Sequence, residues 1–255
     1  MNPFDLTGRK AAVTGGNGGI GLGMARGLAR AGADVAILGR NPDKTRAAAE
    51  AIAAEFHVRA VPILADLGVA AQCASAAEQA AEALGGLDIL INNAGINIRR
   101  LPQEMTEEQW RDVLEVNLTG VFLLTKAAYP FLKAGGKGKV ILIGSMTSIF
   151  GSSFAPAYAA TKGAVVQLAK SLALAWAPDH IQVNAILPGW YDTDLTYKAR
   201  EEIAGLHDRV LARIPQGRWG KPEDIAGTAV WLASAASDYV TGIAVPVDGG
   251  YSAML

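Results

Sequence analysis

Residues 11–21 read AAVTGGNGGIG and form the most informative stretch of the chain. The first three residues are apolar and suit a strand, and an amphipathic stretch, residues 22–31, follows the glycines. Glycines let the backbone turn sharply and bring bare N–H groups close to a pyrophosphate, while the following helix offers its positive end. The stretch therefore indicates a dinucleotide site, although an ordinary strand-to-helix connection can contain the same glycines.

Six further apolar runs resemble the one that precedes the glycines. They lie at residues 35–38, 58–64, 89–91, 140–143, 181–186 and 243–247. Longer stretches rich in Ala, Leu and Glu separate them with helical spacing, so strands and helices alternate. This alternation predicts an α/β protein with a parallel sheet covered on both faces. A doubly wound open sheet and a closed eight-fold barrel both satisfy it, and seven strands with the glycine turn favour the open sheet.

The composition excludes several classes of protein. The chain has 255 residues, of which 51% are hydrophobic and 18% charged, with 23 Lys and Arg against 24 Asp and Glu. This balance gives no polyelectrolyte signal for nucleic acid or an anionic membrane. The single cysteine, Cys73, can form no intrachain disulfide, and the start of the chain lacks a secretory layout. We expect a cytoplasmic protein with a small-molecule substrate and with neither nucleic acid nor membrane as partner.

Residues 190–216 interrupt the alternation with polar and charged side chains, just after Pro188 and Gly189. We predict a lid over a cleft in this segment, and a plain pair of surface helices is the alternative. No linker rich in Pro and Ser, charge block or fixed-period repeat divides the chain. We therefore expect residues 1–255 to form a single domain that includes the lid.

Three further motifs follow the glycine turn in a fixed order, namely residues 92–95 (NNAG), 158–162 (YAATK) and 188–189 (PG). With them and the TGxxxGxG pattern of the turn, the chain resembles the short-chain dehydrogenases/reductases over essentially its whole length. The resemblance implies one Rossmann-type domain, a doubly wound parallel sheet of seven strands with helices on both faces, a nicotinamide cofactor and often a homotetramer. The cofactor-binding positions it implies are Gly15, Asn17, Gly19, Ile20, Gly21, Arg40, Asp66, Leu67, Asn93, Ala94, Gly95, Tyr158, Lys162, Pro188, Gly189 and Thr193.

Tyr158 and Lys162 are the first candidate catalytic residues. They lie four residues apart in a predicted helix, residues 157–177, so their side chains share one face. A phenol has a pKa near ~10, and a neighbouring ammonium lowers that pKa and makes tyrosine a usable proton donor and acceptor. An isolated pair at this spacing would be an ordinary surface feature, and its position among the other motifs favours catalysis. Ser145 ends a predicted strand, where open α/β sheets place ligand groups, and can bond the substrate oxygen.

Asn117 interrupts a helical pattern that spans residues 107–132, and an amide is a poor helix former. One explanation is an interior amide whose hydrogen bonds are satisfied. The resemblance implies another, a water held by Asn117 that relays protons through Lys162, which also reaches the nicotinamide ribose. The mechanism that the resemblance implies requires no metal, because the tyrosine and the serine stabilise the oxyanion. The histidines, His57, His180 and His207, are scattered and suggest no metal site.

The end of the second predicted strand, residues 36–41 (AILGRN), bears on the choice of cofactor. NAD-dependent enzymes normally hold an acidic residue there for the ribose hydroxyls, whereas an arginine accommodates a 2′-phosphate. Gly39 occupies the acidic position and Arg40 follows it, which favours NADP. The glycine turn lacks the basic residue of many NADP-preferring relatives, so NAD stays possible. Asp66 and Leu67 match the family's adenine-contacting pair, although Asp66 could equally cap a helix.

Segments that follow Gly95, Ser145 and Gly189 should line the substrate side of the cleft. Arg99 and Arg100 suggest an anionic substrate because adjacent cations would lie beside the nicotinamide, and surface charges are the alternative. Residues 93–100 and 213–220 most resemble the sugar-acid branch of the family, the gluconate 5-dehydrogenases and 2-deoxygluconate 3-dehydrogenases. The candidate substrate residues are Asn97, Arg99, Arg100, Ser145, Thr147, Trp190 and Tyr191.

These features predict an NAD(P)-dependent oxidoreductase that transfers a hydride between nicotinamide and a secondary alcohol or ketone of a sugar acid or polyol. A 3-oxoacyl-thioester reductase shares every motif and is the second interpretation. The third is a regulatory protein that binds the cofactor without turnover, and the intact Ser145, Tyr158 and Lys162 argue against it.

Overall fold

Seven strands form the centre of the molecule in the computed structural model. The structure describes residues 2–254, and for Leu195 it describes only the backbone. Each strand lies within two residues of its predicted bounds. The strands are β1 (Lys10–Thr14), β2 (Asp34–Gly39), β3 (Ala60–Leu64), β4 (Ile89–Asn92), β5 (Lys139–Ile143), β6 (Gln182–Pro188) and β7 (Ala244–Val247).

The strands form one parallel sheet in the order β3-β2-β1-β4-β5-β6-β7. The chain builds outward from β1 to β3, returns to place β4 beside β1, and then builds outward to β7. This reversal opens a crevice above the carboxyl ends of β1 and β4, where such sheets bind ligands. The predicted doubly wound Rossmann-type sheet is confirmed. The closed barrel is excluded because the sheet is open, with β3 at one edge and β7 at the other.

Helices cover both faces of the sheet, which is why its strands are continuous apolar runs. Successive residues of β1 point to opposite faces, so that Ala12 belongs to one core and Val13 to the other. Within residues 2–254, no helix combines the length and the apolar character that a membrane span needs. The helices are α1 (Gly19–Arg30), α2 (Pro42–Phe56), α3 (Ala70–Leu84), α4 (Glu107–Leu114), α5 (Gly120–Ala134), α6 (Pro156–Trp176), α7 (Asp194–Glu202), α8 (Leu206–Leu211) and α9 (Ala226–Ala233).

The helix predicted over residues 107–132 is interrupted by one π-helical turn, Glu115–Thr119, between α4 and α5. Asn117 is buried in this turn. Its side-chain oxygen accepts a hydrogen bond from the backbone N–H of Ile96 at 2.8 Å, and its amide donates to the Ile96 carbonyl at 2.8 Å. Such turns are frequent at functional sites because they shift side chains relative to a regular helix. The amide of Asn117 is thus satisfied in the interior and fixes the loop that follows β4.

The predicted lid folds as α7 and α8 around a small apolar core of its own. A cofactor-binding candidate, Thr193, caps the start of α7 and lies over the glycine turn, where a Cβ on Gly19 would approach its methyl carbon to 3.2 Å. The segment therefore covers one side of the crevice, and its movement stays a prediction. The residues of the small core are Ala199, Leu206, Val210, Ile214 and Trp219.

Candidate active site

A cleft of about 820 Å³ lies above the carboxyl ends of the central strands. Every residue predicted to bind cofactor or substrate or to act in catalysis lines it, apart from Asn117 and Arg100. Asn117 lies behind the lining, where it holds the backbone of Ile96. Arg100 donates from its guanidinium to the Arg99 carbonyl at 3.0 Å and from its backbone to Phe154. Of the two adjacent arginines, only Arg99 lines the cleft.

The glycine turn has the shape that a pyrophosphate requires. A Cβ on Gly21 would lie 2.2 Å from the Gly15 carbonyl oxygen and 2.4 Å from the Asn93 amide nitrogen, so the turn closes tightly. Helix α1 begins at Gly19, and Gly18 before it provides no side-chain cap. The first N–H groups of the helix therefore stay available to an anion at its positive end. These observations fit a bound dinucleotide.

Asn93 and Ala94 join the end of β4 to the end of β1. The Thr14 hydroxyl oxygen accepts hydrogen bonds from the backbone N–H groups of Asn93 at 2.8 Å and Ala94 at 2.9 Å. The Asn93 amide donates to the Thr14 carbonyl at 2.9 Å. The side chain of Asn93 therefore positions the two strand ends on either side of the crevice.

The position that carries an acid in NAD-dependent enzymes is closed here to any side chain. A Cβ on Gly39 would lie 2.4 Å from the Asn17 amide nitrogen and 2.5 Å from the Thr45 hydroxyl oxygen. Asn17 and Thr45 hydrogen-bond each other at 2.8 Å and fill the space. A carboxylate could enter at position 39 only if the side chains of Asn17 and Thr45 both moved.

Arg40 and Asp66 face each other across this end of the cleft, 3.8 Å apart at their closest charged atoms, and Arg40 is 63% exposed. The side chain of Asp66 accepts a hydrogen bond from the backbone N–H of Gly68 at 2.9 Å. Because Val69, not Asp66, caps α3, the interpretation of Asp66 as a helix cap is wrong. The turn at Gly68 keeps Asp66 at the cleft instead.

Ser145, Tyr158 and Lys162 meet beyond the carboxyl end of β5. Ser145 follows this strand, and its hydroxyl oxygen accepts a hydrogen bond from the Thr147 N–H at 3.1 Å. Ser145 is close enough to the Tyr158 hydroxyl to lower its pKa. The Lys162 ammonium lies 5.5 Å from the centroid of the Tyr158 ring and donates to the Ile143 carbonyl at 2.7 Å. The three predicted catalytic side chains therefore form one cluster.

Burial opposes charge on both Tyr158 and Lys162. It raises the pKa of Tyr158 above its usual value, against the hydrogen bond with Ser145 and the positive charge of Arg99, which lower that pKa. It lowers the pKa of Lys162 from 10.5 to about 8. The pKa of Tyr158 is therefore raised and not lowered as expected, because burial outweighs the groups that favour the phenolate. Ser145 and Arg99 are the groups that favour the phenolate.

The substrate side of the cleft contains the guanidinium of Arg99. It also contains two side-chain oxygens that have no hydrogen bond. The side chain of Arg99 is only 17% exposed and pairs with Glu202 of α7 at 2.8 Å. Among the described residues, the side-chain oxygens of Asn97 and Thr147 are buried without a partner. Buried polar atoms normally find partners, and both residues line the cleft, so these two oxygens are candidates for hydrogen bonds to a ligand there.

Trp190 and Tyr191, at the start of the predicted lid, line the cleft as predicted. The ring of Trp190 meets the ring of Trp219 edge-on, with 5.5 Å between centroids. The Tyr191 hydroxyl donates to the Val247 carbonyl at 3.0 Å, and the side chain is nearly buried. The phenol of Tyr191 is therefore engaged within the protein.

Lys44, Asp194 and Arg209 line the cleft although no motif marked them. They belong to the beginnings of α2 and α7 and to α8, which meet the cleft only in the folded chain. The Lys44 ammonium and the Asp194 carboxylate form an ion pair at 3.1 Å. The only signal in the sequence is proximity, since Lys44 follows Arg40 by four residues. Among the described residues, no three His, Cys, Asp or Glu side chains are grouped to hold a metal.

Known proteins resemble this chain over its whole length. Residues 15–252 match the model of a protein family described as enoyl-(acyl carrier protein) reductase. The 2-dehydro-3-deoxy-D-gluconate 5-dehydrogenase of Dickeya dadantii is 42% identical over 257 residues, 99% of each chain. The gluconate 5-dehydrogenase of Gluconobacter oxydans is 37% identical over 99% of this chain and 98% of that protein. A gluconate 5-dehydrogenase from Burkholderia cenocepacia, solved with NADP and tartrate, is 39% identical over 100% of this chain and 99% of that one, with a TM-score of 0.94.

Proposed function

This chain belongs to the short-chain dehydrogenase/reductase family and is an NAD(P)-dependent oxidoreductase, and we propose that it prefers NADP and acts on a sugar acid. The closed position at Gly39 and the exposed guanidinium of Arg40 support the preference for NADP. The solved relative from Burkholderia cenocepacia holds NADP and also supports it. Use of NAD at lower efficiency is compatible with the same residues.

The proposed chemistry uses the cluster beyond β5. The nicotinamide, when bound, supplies the hydride acceptor or donor. Ser145 bonds the substrate oxygen, and the Tyr158 hydroxyl takes up its proton in oxidation and returns it in reduction. Lys162, with a pKa of about 8, can hold or release a proton near neutral pH. By resemblance to the family, Lys162 also contacts the ribose. The water that the resemblance assigns to Asn117 would have to be held without its side-chain amide, which Ile96 engages.

The observation that carries the proposed substrate is the largely buried guanidinium of Arg99 close to Tyr158. A substrate carboxylate can replace Glu202 on this guanidinium, because both offer the same two oxygens to the same donors. The unpaired oxygens of Asn97 and Thr147 are then available to the hydroxyls of a sugar. The relatives from Dickeya and Gluconobacter, named for sugar-acid substrates, support the same class.

The test compares D-gluconate with D-glucitol, a polyol of the same length, by kcat/KM with NADP and NAD. Arg99→Ala should lower kcat/KM for the acid by roughly tenfold or more beyond its effect on the polyol, as expected for one charge-assisted contact. A loss of kcat common to both substrates reports the effect of Arg99 on the Tyr158 pKa. Arg100→Ala is the matched control, since Arg100 lies outside the cleft lining, and should change neither substrate.

Glu202→Gln provides a second control, because it removes the competing carboxylate and should favour the acid. Equal losses for acid and polyol in Arg99→Ala would contradict the carboxylate contact. Turnover of a 3-oxoacyl thioester in preference to every sugar acid would replace the proposed substrate class.

The proposal extends to the whole molecule. We propose that residues 1–255 act as a single domain in the cytoplasm, with residues 190–216 closing over bound substrate. We also propose a homotetramer. The exposed side chains of Phe122 on α5 and Leu174 on α6 support assembly, because apolar groups on helices that flank the sheet suit contact with another subunit.

A further inference from the structure

Lys44 carries a charge at the end of the cleft that Arg40 also lines, and no step of the proposed chemistry uses it. Its ammonium nitrogen lies 3.8 Å from the point where a Cβ on Gly18 would be. We propose that Lys44 is a second cation for the 2′-phosphate of NADP and acts there together with Arg40. This inference rests on the proposed preference for NADP.

The position of Lys44 follows from the local sequence. Asn41 caps α2 by accepting a hydrogen bond from the Lys44 backbone N–H at 2.9 Å, and Pro42 begins the helix. Lys44 therefore belongs to the first turn of α2, where the helix end itself favours an anion. Because Gly18 has no side chain, the ammonium reaches the space above the glycine turn. Lys44 thus supplies from α2 the positive charge that the turn itself lacks.

Both cations are held by partners that a phosphate can replace. Lys44 pairs with Asp194, and the two side chains are 57% and 83% exposed. Arg40 pairs with Asp66 at 3.8 Å, also at the surface. Exposed ion pairs of this kind contribute little to stability, because water screens them. A phosphate carries up to two charges and offers several oxygens as acceptors of charge-assisted hydrogen bonds, so it can replace the carboxylate at either cation.

The closed position at Gly39 explains why the two cations face no competing acid at this point. The hydrogen bond between Asn17 and Thr45 fills the place from which an acidic side chain would approach the ribose. An acid there would repel the 2′-phosphate and neutralise the cations. The corner formed by Arg40 and Lys44 therefore favours a phosphate over a bare ribose hydroxyl.

The test measures binding without turnover, by calorimetric titration of the full chain with NADP and with NAD, which differ only by this phosphate. Lys44→Gln should weaken the affinity for NADP by roughly tenfold and leave the affinity for NAD within about twofold of the wild-type value. Lys44→Arg keeps the charge and should recover most of the NADP affinity. Asp194→Asn breaks the same ion pair while it keeps the cation, so it should bind NADP at least as tightly as the wild type.

The outcomes separate this inference from the proposed cofactor. Equal weakening of NADP and NAD by Lys44→Gln would place Lys44 at the shared pyrophosphate and overturn the inference. Unchanged affinity for both would overturn it as well, with the NADP preference of the wild type still standing. A wild type that binds NAD as tightly as NADP would instead refute the proposed cofactor preference, and the inference with it.

Discussion

Replacing Lys162 with methionine should change the stability of the protein by an amount that depends on pH. Burial lowers the pKa of Lys162 from 10.5 to about 8, so the folded protein holds this proton less tightly than the unfolded chain. The difference between the two values corresponds to about 3 kcal/mol. Wild-type stability therefore rises with pH through the window from about 8 to 10.5, because the unfolded state binds more protons there.

Methionine has no proton to lose, so the variant lacks this rise. The variant also lacks the hydrogen bond to the Ile143 carbonyl, which costs about 1–3 kcal/mol at every pH. At pH 7 the relief of the buried charge roughly offsets the lost bond, and the two proteins should have similar free energies of unfolding. At pH 10 Lys162 of the wild type is mostly neutral, so methionine removes little buried charge. Lys162→Met should then be less stable than the wild type by about 2 kcal/mol.

Urea unfolding of the wild type and of Lys162→Met at pH 7 and pH 10 measures the effect. Lys170→Met is the matched control, because Lys170 is an exposed lysine on the same helix and should show no such dependence. The same stability difference at pH 7 and pH 10 would refute the reasoning from burial. In kinetics, Lys162→Met should lose both turnover and affinity for the cofactor, since one ammonium is proposed to serve both.

Two further predictions concern proton transfer and cofactor choice. Tyr158→Phe keeps the packing of the ring, so it should bind NADP with unchanged Kd in a fluorescence titration and lose kcat by a factor on the order of 10² or more. Near-normal turnover would remove Tyr158 from the mechanism. Gly39→Asp should collide with Asn17 and Thr45 and gain no preference for NAD, whereas Gly39→Asp combined with Asn17→Gly and Thr45→Ala should shift kcat/KM toward NAD. A complete switch in the single variant would show that Asn17 and Thr45 yield easily.

The fold was predictable because the strands inside the sheet are buried on both faces. The central residues of β1 and β5, positions 11–13 and 140–143, are apolar and buried, and such runs stand out from the alternating helices. The glycine turn then fixed the place where the strand order reverses. The lid was detectable only as a break in this pattern, since its helices pack on a separate small core.

The site was predictable where residues follow strand ends and unpredictable where the folded chain joins distant segments. Lys44 and Asp194 are 150 residues apart, and no local pattern announces their contact. Arg99 and Arg100 are adjacent and equivalent in the sequence, yet only Arg99 lines the cleft. The shift in the Tyr158 pKa depends on burial, which the spacing of Tyr158 and Lys162 does not report.

Two hydrogen bonds between Asn117 and Ile96 hold the backbone of the loop after β4 in place, independently of the side chains that this loop directs toward the substrate. The backbone that follows β4 is anchored from behind, so its course does not depend on what Asn97 or Arg99 binds. Side chains on the cleft side of this loop can therefore be exchanged without rebuilding it. A change at Asn117 itself should instead disturb the backbone that carries these side chains. The amide in the π-helical turn thus lets substrate specificity change by substitution while the backbone beside the cleft keeps its course.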